Sequence, residues 1–281
     1  MPVATFALTA TGRIAGRTDV GRARARNEDS LHVDPAGRFA IVCDGMGGHA
    51  GGDVASRKAV EVIAGLLEDA ASAPPCDFGG VESDGPDGGD TVRTLPEPAR
   101  EEAAIRGALG LVRSAVRRAN ARIHALNRQR GFADGRGMGT TVVGWWLVPD
   151  SNRIVAFHAG DSRLYRLRGG ELQPLTRDHS LYQLWLDNGG NGTAPHRNII
   201  LRALGTGEEV EPEAAAHPLL PDDVLLLCSD GLNGMLPDTL IARILRQEPE
   251  PERACAALVD AANTAGGQDN ITVAVARFSA T

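Results

Sequence analysis

Four aspartates occupy one kind of place in this chain. Asp29 lies in RARARNEDS just ahead of an apolar run, and Asp44 closes AIVCD against Gly45. Asp230 closes VLLLCSD against Gly231, and Asp269 lies in GGQDNITVAV ahead of the last apolar run. Carboxylates gathered on one rim of a core repel each other unless a cation neutralises them. Hard oxygen donors favour Mg2+ or Mn2+ over zinc, and no His/Cys cluster in the sequence competes for a softer ion. The stretch after Asp44, GMGGHAGG, has five glycines in eight residues, so a small charged group could approach its backbone closely. An Asp-Gly pair after a strand is also ordinary turn chemistry. Two such turns together with RNED and QDN point beyond turns, toward a convergent acidic site.

Convergence needs strands that deliver these tips to one end of a core. The runs Leu31–Val33, Phe39–Cys43, Thr140–Val148, Arg153–His158, Leu164–Arg168, Val224–Ser229 and Ile271–Phe278 read as strands. LYRLRGGELQPL reads as a hairpin turning at Gly169-Gly170. Apolar periodicity predicts long helices over 53–71 and 101–129, and shorter ones over 238–247 and 252–265. The second long helix carries Arg106, Arg113, Arg117, Arg118 and Arg122 away from its apolar stripe, as a solvated face does. Residues 73–98, rich in Gly, Pro and Asp, have no period and read as a flexible surface loop; their carboxylates match no EF-hand spacing. The element order is not a regular βα alternation. It predicts an α+β domain with helices packed against largely antiparallel sheets.

The bulk properties narrow the field. A chain of 281 residues with 42% hydrophobic and 23% charged content can bury a sizeable core. A net charge of −7 argues against a nucleic-acid surface, which needs a basic excess. The first residues, MPVATFALTA, predict no secretory leader, and no apolar run reaches the roughly 18 residues of a membrane span. Cys43, Cys76, Cys228 and Cys255 show no CxxC spacing, so neither a zinc knuckle nor a disulfide framework is indicated, and a cytoplasmic setting fits.

Eight motifs run in order: RARNEDS (24–30), VCDGMGGHAGG (42–52), GMGTT (137–141), HAGDSRLYRLRGGEL (158–172), LTRDHS (175–180), RALG (202–205), LLCSDGL (226–232) and QDNITV (268–273). In these the chain resembles the metal-dependent serine/threonine phosphatases of the PP2C (PPM) family, bacterial type. The resemblance implies a four-layer αββα sandwich, two central antiparallel sheets flanked by helices, with a binuclear metal site at one end. It implies one domain over residues 1–281 with its core at about 12–279. The implied cofactors are two Mn2+ or Mg2+ ions, and a third in some members. The implied reaction is hydrolysis of phosphoserine and phosphothreonine by in-line attack of a water held between the ions.

Residue by residue, the resemblance makes Asp44 the bridging ligand and the Gly45 carbonyl a further ligand, with Asp230 and Asp269 completing the set. Glu28 and Asp29 would hold metal-bound waters, directly or one shell out. Arg24 would bind the phosphate, a role that suits a planar guanidinium. Asp134 would hold the third ion, and Asp161 would be a structural hydrogen-bonding residue. Met46 stands where animal-type members carry a histidine assigned as general acid, which leaves His49 as a nearby candidate to contact substrate and give a proton. The flap after RDHS looks short, so no substrate preference carries over. The implied partners are phosphorylated proteins and a cognate Ser/Thr kinase or its substrates, with no nucleic acid and no membrane, for a monomer. The competing reading is a pseudophosphatase that only binds partners, and the intact Asp44, Asp230 and Asp269 argue against it. A nucleotide-binding loop is a poor third reading, because DGMGGHAGG lacks the GK[ST] ending.

Overall fold

The computed structural model describes residues 13–47, 51–72 and 97–279. In chain order these form β1 (Arg13–Asp19), β2 (Asp29–Val33), β3 (Phe39–Met46), α1 (Gly52–Ser72), α2 (Glu97–Gln129), β4 (Gly139–Thr140), β5 (Val142–Leu147) and β6 (Arg153–Ala159). There follow β7 (Arg163–Arg168), β8 (Glu171–Pro174), α3 (Leu181–Asp187), β9 (Glu213–Pro218), β10 (Val224–Cys228), α4 (Asp230–Asn233), α5 (Asp238–Gln247), α6 (Pro251–Thr264) and β11 (Ile271–Arg277). One sheet has the order β1-β11-β10-β7-β8 and the other β2-β3-β5-β6-β9, with β4 paired to β3. Every pairing is antiparallel.

Side-chain alternation sorts the strands into three apolar layers. Ala40, Val42, Val143, Trp145, Leu164, Leu225, Leu227 and Ala274 fill the space between the sheets. Phe39, Ile41, Cys43 and Phe157 face the other way, onto α1 and α2 through Ile63, Val112 and Ile123. Tyr165, Leu226, Val273 and Val275 face α5 and α6 through Ile241, Leu245, Ala254 and Leu258. Central strands are thus covered on both faces, which is why they read as unbroken apolar runs rather than as the half-solvated alternation common in antiparallel sheets. The expected αββα sandwich is the observed one.

Several boundaries differ from the sequence expectation. β3 does not stop at Asp44; it continues through Gly45 and Met46, which pair with Thr140 and Gly139. β1 and β9, both sheet edges, carry little apolar signal: RIAGRTD is largely exposed and EAAAHP offers mainly alanines. Their place comes from ladder hydrogen bonds to β11 and β6, a non-local cause. Glu97 and Pro98 belong to α2 rather than to the loop, and residues 73–96 lie outside the described residues.

Candidate metal centre

Strand register delivers the acids to one end of the sandwich. Asp29 and Asp44 are direct partners across β2 and β3, which sets their side chains about 5 Å apart. In the other sheet Cys228 pairs with Val273 and with Arg163. Asp230, just after β10, Asp269, just before β11, and Asp161, just before β7, therefore reach the same end. The ends are tied: the Ser229 N–H donates to the Thr272 carbonyl at 3.0 Å, and Asp230 opens α4 behind it.

Close approach of backbone is what the glycines permit here. The Gly45 N–H donates to the Glu28 carbonyl at 3.1 Å. A Cβ at Gly45 would stand 2.2 Å from the Gly52 carbonyl oxygen and 2.5 Å from that of Glu28. A Cβ at Gly231 would stand 2.0 Å from the Asn270 carbonyl oxygen. Hydroxyls hold one carboxylate and the backbone of another. Ser229 Oγ donates to Asp29 Oδ2 at 2.8 Å. The Asp44 N–H donates to Thr141 Oγ1 at 3.0 Å, and that hydroxyl lies 2.7 Å from Ser162 Oγ.

The electrostatics are those of crowded like charges. Burial, then the charges of Asp29 and Asp230, push the Asp44 carboxyl well above its ordinary range. Burial pushes Asp29 up to about 7 against the opposing hydroxyl bonds of Thr272 and Ser229, with Asp230 and Asp269 adding to the rise. Burial and the charge of Asp269 also raise Asp230. One buried oxygen each of Asp29, Asp161 and Asp230 has no hydrogen-bond partner in the protein. Buried, repelling and partly unpartnered carboxylates fit hard divalent cations, which would take the orphaned oxygens and cancel the repulsion. Glu28, Asp29, Asp44, the Gly45 carbonyl, Asp230 and Asp269 are the donors at hand. Arg24 stands at the mouth, with Nη2 donating to Asp269 Oδ2 at 2.6 Å.

Asp134, expected to hold a third ion, is 61% exposed and bonded to His124 Nε2 at 2.9 Å. His49 lies outside the described residues. Asp161, expected to be structural, is buried, and burial with the charge of Asp230 pushes it up to about 7. Its signal was present, because Gly160-Asp161 repeats at a strand tip the Asp/Gly adjacency of Asp44 and Asp230.

Among the described residues, the trio of metal-capable side chains with ligand atoms within 4.8 Å of one another is His158, His179 and Glu213. It lies beside a cavity of about 250 Å3 near α3. Its geometry opposes a shared ion. The two imidazoles stack 4.4 Å apart and only 9° from parallel, so their in-plane lone pairs do not meet. His158 Nε2 is engaged by the Arg177 carbonyl at 2.8 Å, and the Arg202 guanidinium lies 3.1 Å from His179 Nε2. The acids, more widely spread, suit more than one ion.

A family profile described as "Protein phosphatase 2C" matches residues 21–266. The chain is 36% identical over 269 residues to the serine/threonine protein phosphatase PstP of Mycobacterium tuberculosis, across 94% of this chain and 44% of that protein, so it spans less than half the length of that relative. It is 34% identical to the serine/threonine phosphatase stp of Listeria welshimeri, across 92% of each. The solved catalytic domain of PstP, in complex with two manganese ions, is similar at a TM-score of 0.73 and 34% identity, covering 95% of this chain and 98% of that one.

Proposed function

The chain belongs to the protein phosphatase 2C family, and from that premise we propose that it is a Mg2+- or Mn2+-dependent phosphoprotein phosphatase acting on phosphoserine and phosphothreonine. The observation that carries this is the cluster of mutually repelling carboxylates with orphaned oxygens at one end of the sandwich. Divalent ions bound there would neutralise phosphoryl charge and activate water for in-line displacement at phosphorus. The chain's own residues do the rest. Asp44 and Asp29, from one sheet, and Asp230 and Asp269, from the other, supply the anionic cradle. Arg24, half exposed beside Asp269, can turn its planar fork onto phosphate oxygens. Asp134, exposed and bonded to His124, would supply the donor for a third ion, and Asp161, buried with one unpartnered oxygen, lies at the same end of the sandwich as Asp230. Met46 carries no titratable proton, so the leaving oxygen takes its proton from solvent or from His49.

The proposed unit is one catalytic domain over about residues 12–279, monomeric and cytoplasmic, opposing a Ser/Thr kinase. In support, no described helix is long and apolar enough to cross a membrane, and Cys43, Cys228 and Cys255 are buried free thiols. The test is phosphate release from a phosphothreonine peptide. Release should require Mn2+ or Mg2+, stop in EDTA, and fall by about 100-fold or more in Asp230→Asn. A folded wild type that binds the ions yet releases no phosphate from several phosphopeptides would favour the partner-binding reading.

A further inference from the structure

Asn270 takes no part in the chemistry above, yet its buried side chain spends its hydrogen bonds on one segment beside the site. Nδ2 donates to the carbonyls of Val20 at 3.0 Å and Arg26 at 2.9 Å. Oδ1 accepts the N–H of Glu28 at 2.8 Å. The segment they hold, residues 20–28, joins β1 to β2 through turns, with neither helix nor strand of its own. Residues 22–26 are exposed. Between its ends the N–H groups of Arg22 and Ala23 donate to the Gly267 carbonyl at 2.7 and 3.1 Å, Gly21 N–H donates to Asp19 Oδ1 at 2.9 Å, and the Glu28 carbonyl accepts from Gly45 N–H at 3.1 Å and Ser56 Oγ at 2.6 Å, which leaves residues 24–26 held chiefly by Asn270.

A connection with so little ladder bonding and burial stays ordered only where something ties it. Arg24 lies inside the span that Asn270 ties at both ends, and it meets Asp269, the neighbour of Asn270, at 2.6 Å. A carboxamide of this length is needed. Aspartate would keep the acceptor for Glu28 but lose both donors, and it would add a charge beside Asp269.

Resting on the phosphatase reading, we infer that Asn270 is a positioning residue for substrate phosphate: its amide fixes the 20–28 segment so that the Arg24 guanidinium waits, oriented, at the mouth of the acidic site. The bond that matters for turnover is made by Arg24; Asn270 acts through it. Glu28 keeps its carbonyl bonds to Gly45 and Ser56 when the amide is lost, so the loosening falls on the Arg24 stretch, costs orientation rather than chemistry, and weighs on KM more than on kcat.

The experiment is a double-mutant cycle in Mn2+ on a phosphothreonine peptide, with amide hydrogen exchange as a second arm. Asn270→Ala should raise KM about tenfold with kcat within about threefold of wild type. In an Arg24→Ala background the same change should move KM less than about twofold, because its effect has already been removed. Exchange at Ala23–Glu28 should quicken in Asn270→Ala while that of α6 holds. Effects that multiply in the double variant, or unchanged exchange in the segment, overturn the assignment. If Asn270→Ala does not fold, Asn270→Ser carries the same two arms. If the wild type releases no phosphate, the phosphatase reading fails separately, and the exchange arm alone decides whether Asn270 holds the segment.

Discussion

His179 shows how the surroundings of one side chain fix its titration. Its ring stacks on His158, its Nδ1 accepts the Gly160 N–H at 3.2 Å, and Glu213 Oε2 lies 3.4 Å from its Nε2. Burial, then the charges of His158 and Arg202, push it down to about 4, against the pull of Glu213. An imidazole whose folded pKa lies below its unfolded value near 6.5 contributes stability that is whole above about 6.5 and is lost as pH falls toward 4. Thermal melts between pH 7.5 and 4.5 should therefore fall more steeply for wild type than for His179→Gln, and equal slopes would refute that pairing. The residue types at the acidic site were legible in the sequence, because an aspartate beside glycine at a strand tip is a local pattern. The burial of Asp161 and the exposure of Asp134 were not, since both follow from which elements surround them.

Elements explain why those tips can meet. β3 runs on past Asp44 because Gly45 lets β4, the Glu28 backbone and the start of α1 close around one point. Gly45→Ala would drive a methyl into two carbonyl oxygens at 2.2 and 2.5 Å. It should cost about 1–3 kcal/mol of stability in denaturant titrations and weaken Mn2+ binding in calorimetry. A variant as stable as wild type would mean that the backbone gives way more easily than the packing suggests. The hydrophobic pattern alone located the central strands and α5, whose 238–247 span agrees with its periodicity. It passed over β1 and β9, because an edge strand buries little and owes its conformation to its neighbour's hydrogen bonds.

At the scale of the molecule, two sheets with separate helix layers meet around Trp145, Leu225 and Ala274, and their acidic rims face each other. Ions bound between Asp29 and Asp44 on one sheet and Asp230 and Asp269 on the other would join the two halves. At a free Mn2+ concentration about 100 times Kd, stabilisation should be about 2.7 kcal/mol, a rise of roughly 5–10 °C in Tm for a chain of this size. Asp44→Asn should shift both ends of that comparison. Stripped of metal, the variant should melt a few degrees above wild type, about 1 kcal/mol of relieved repulsion, and it should gain less from Mn2+. Differential scanning calorimetry with and without EDTA reads both effects, and an apo variant less stable than apo wild type would show that Asp44 is held by hydrogen bonds rather than strained by charge.

By itself the sequence determined the donor chemistry, the central strands and helices, and the family resemblance carried by eight ordered motifs, all of which depend on residue type and short spacing. Only the tertiary structure decided which carboxylates share an environment. Asp161 joins Asp230 because β7 pairs with β10, and Asp134 faces His124 on the surface. Asn270 meets Glu28 across 242 residues of chain. Such contacts are set by strand register, which is non-local, and no window along the chain contains both partners.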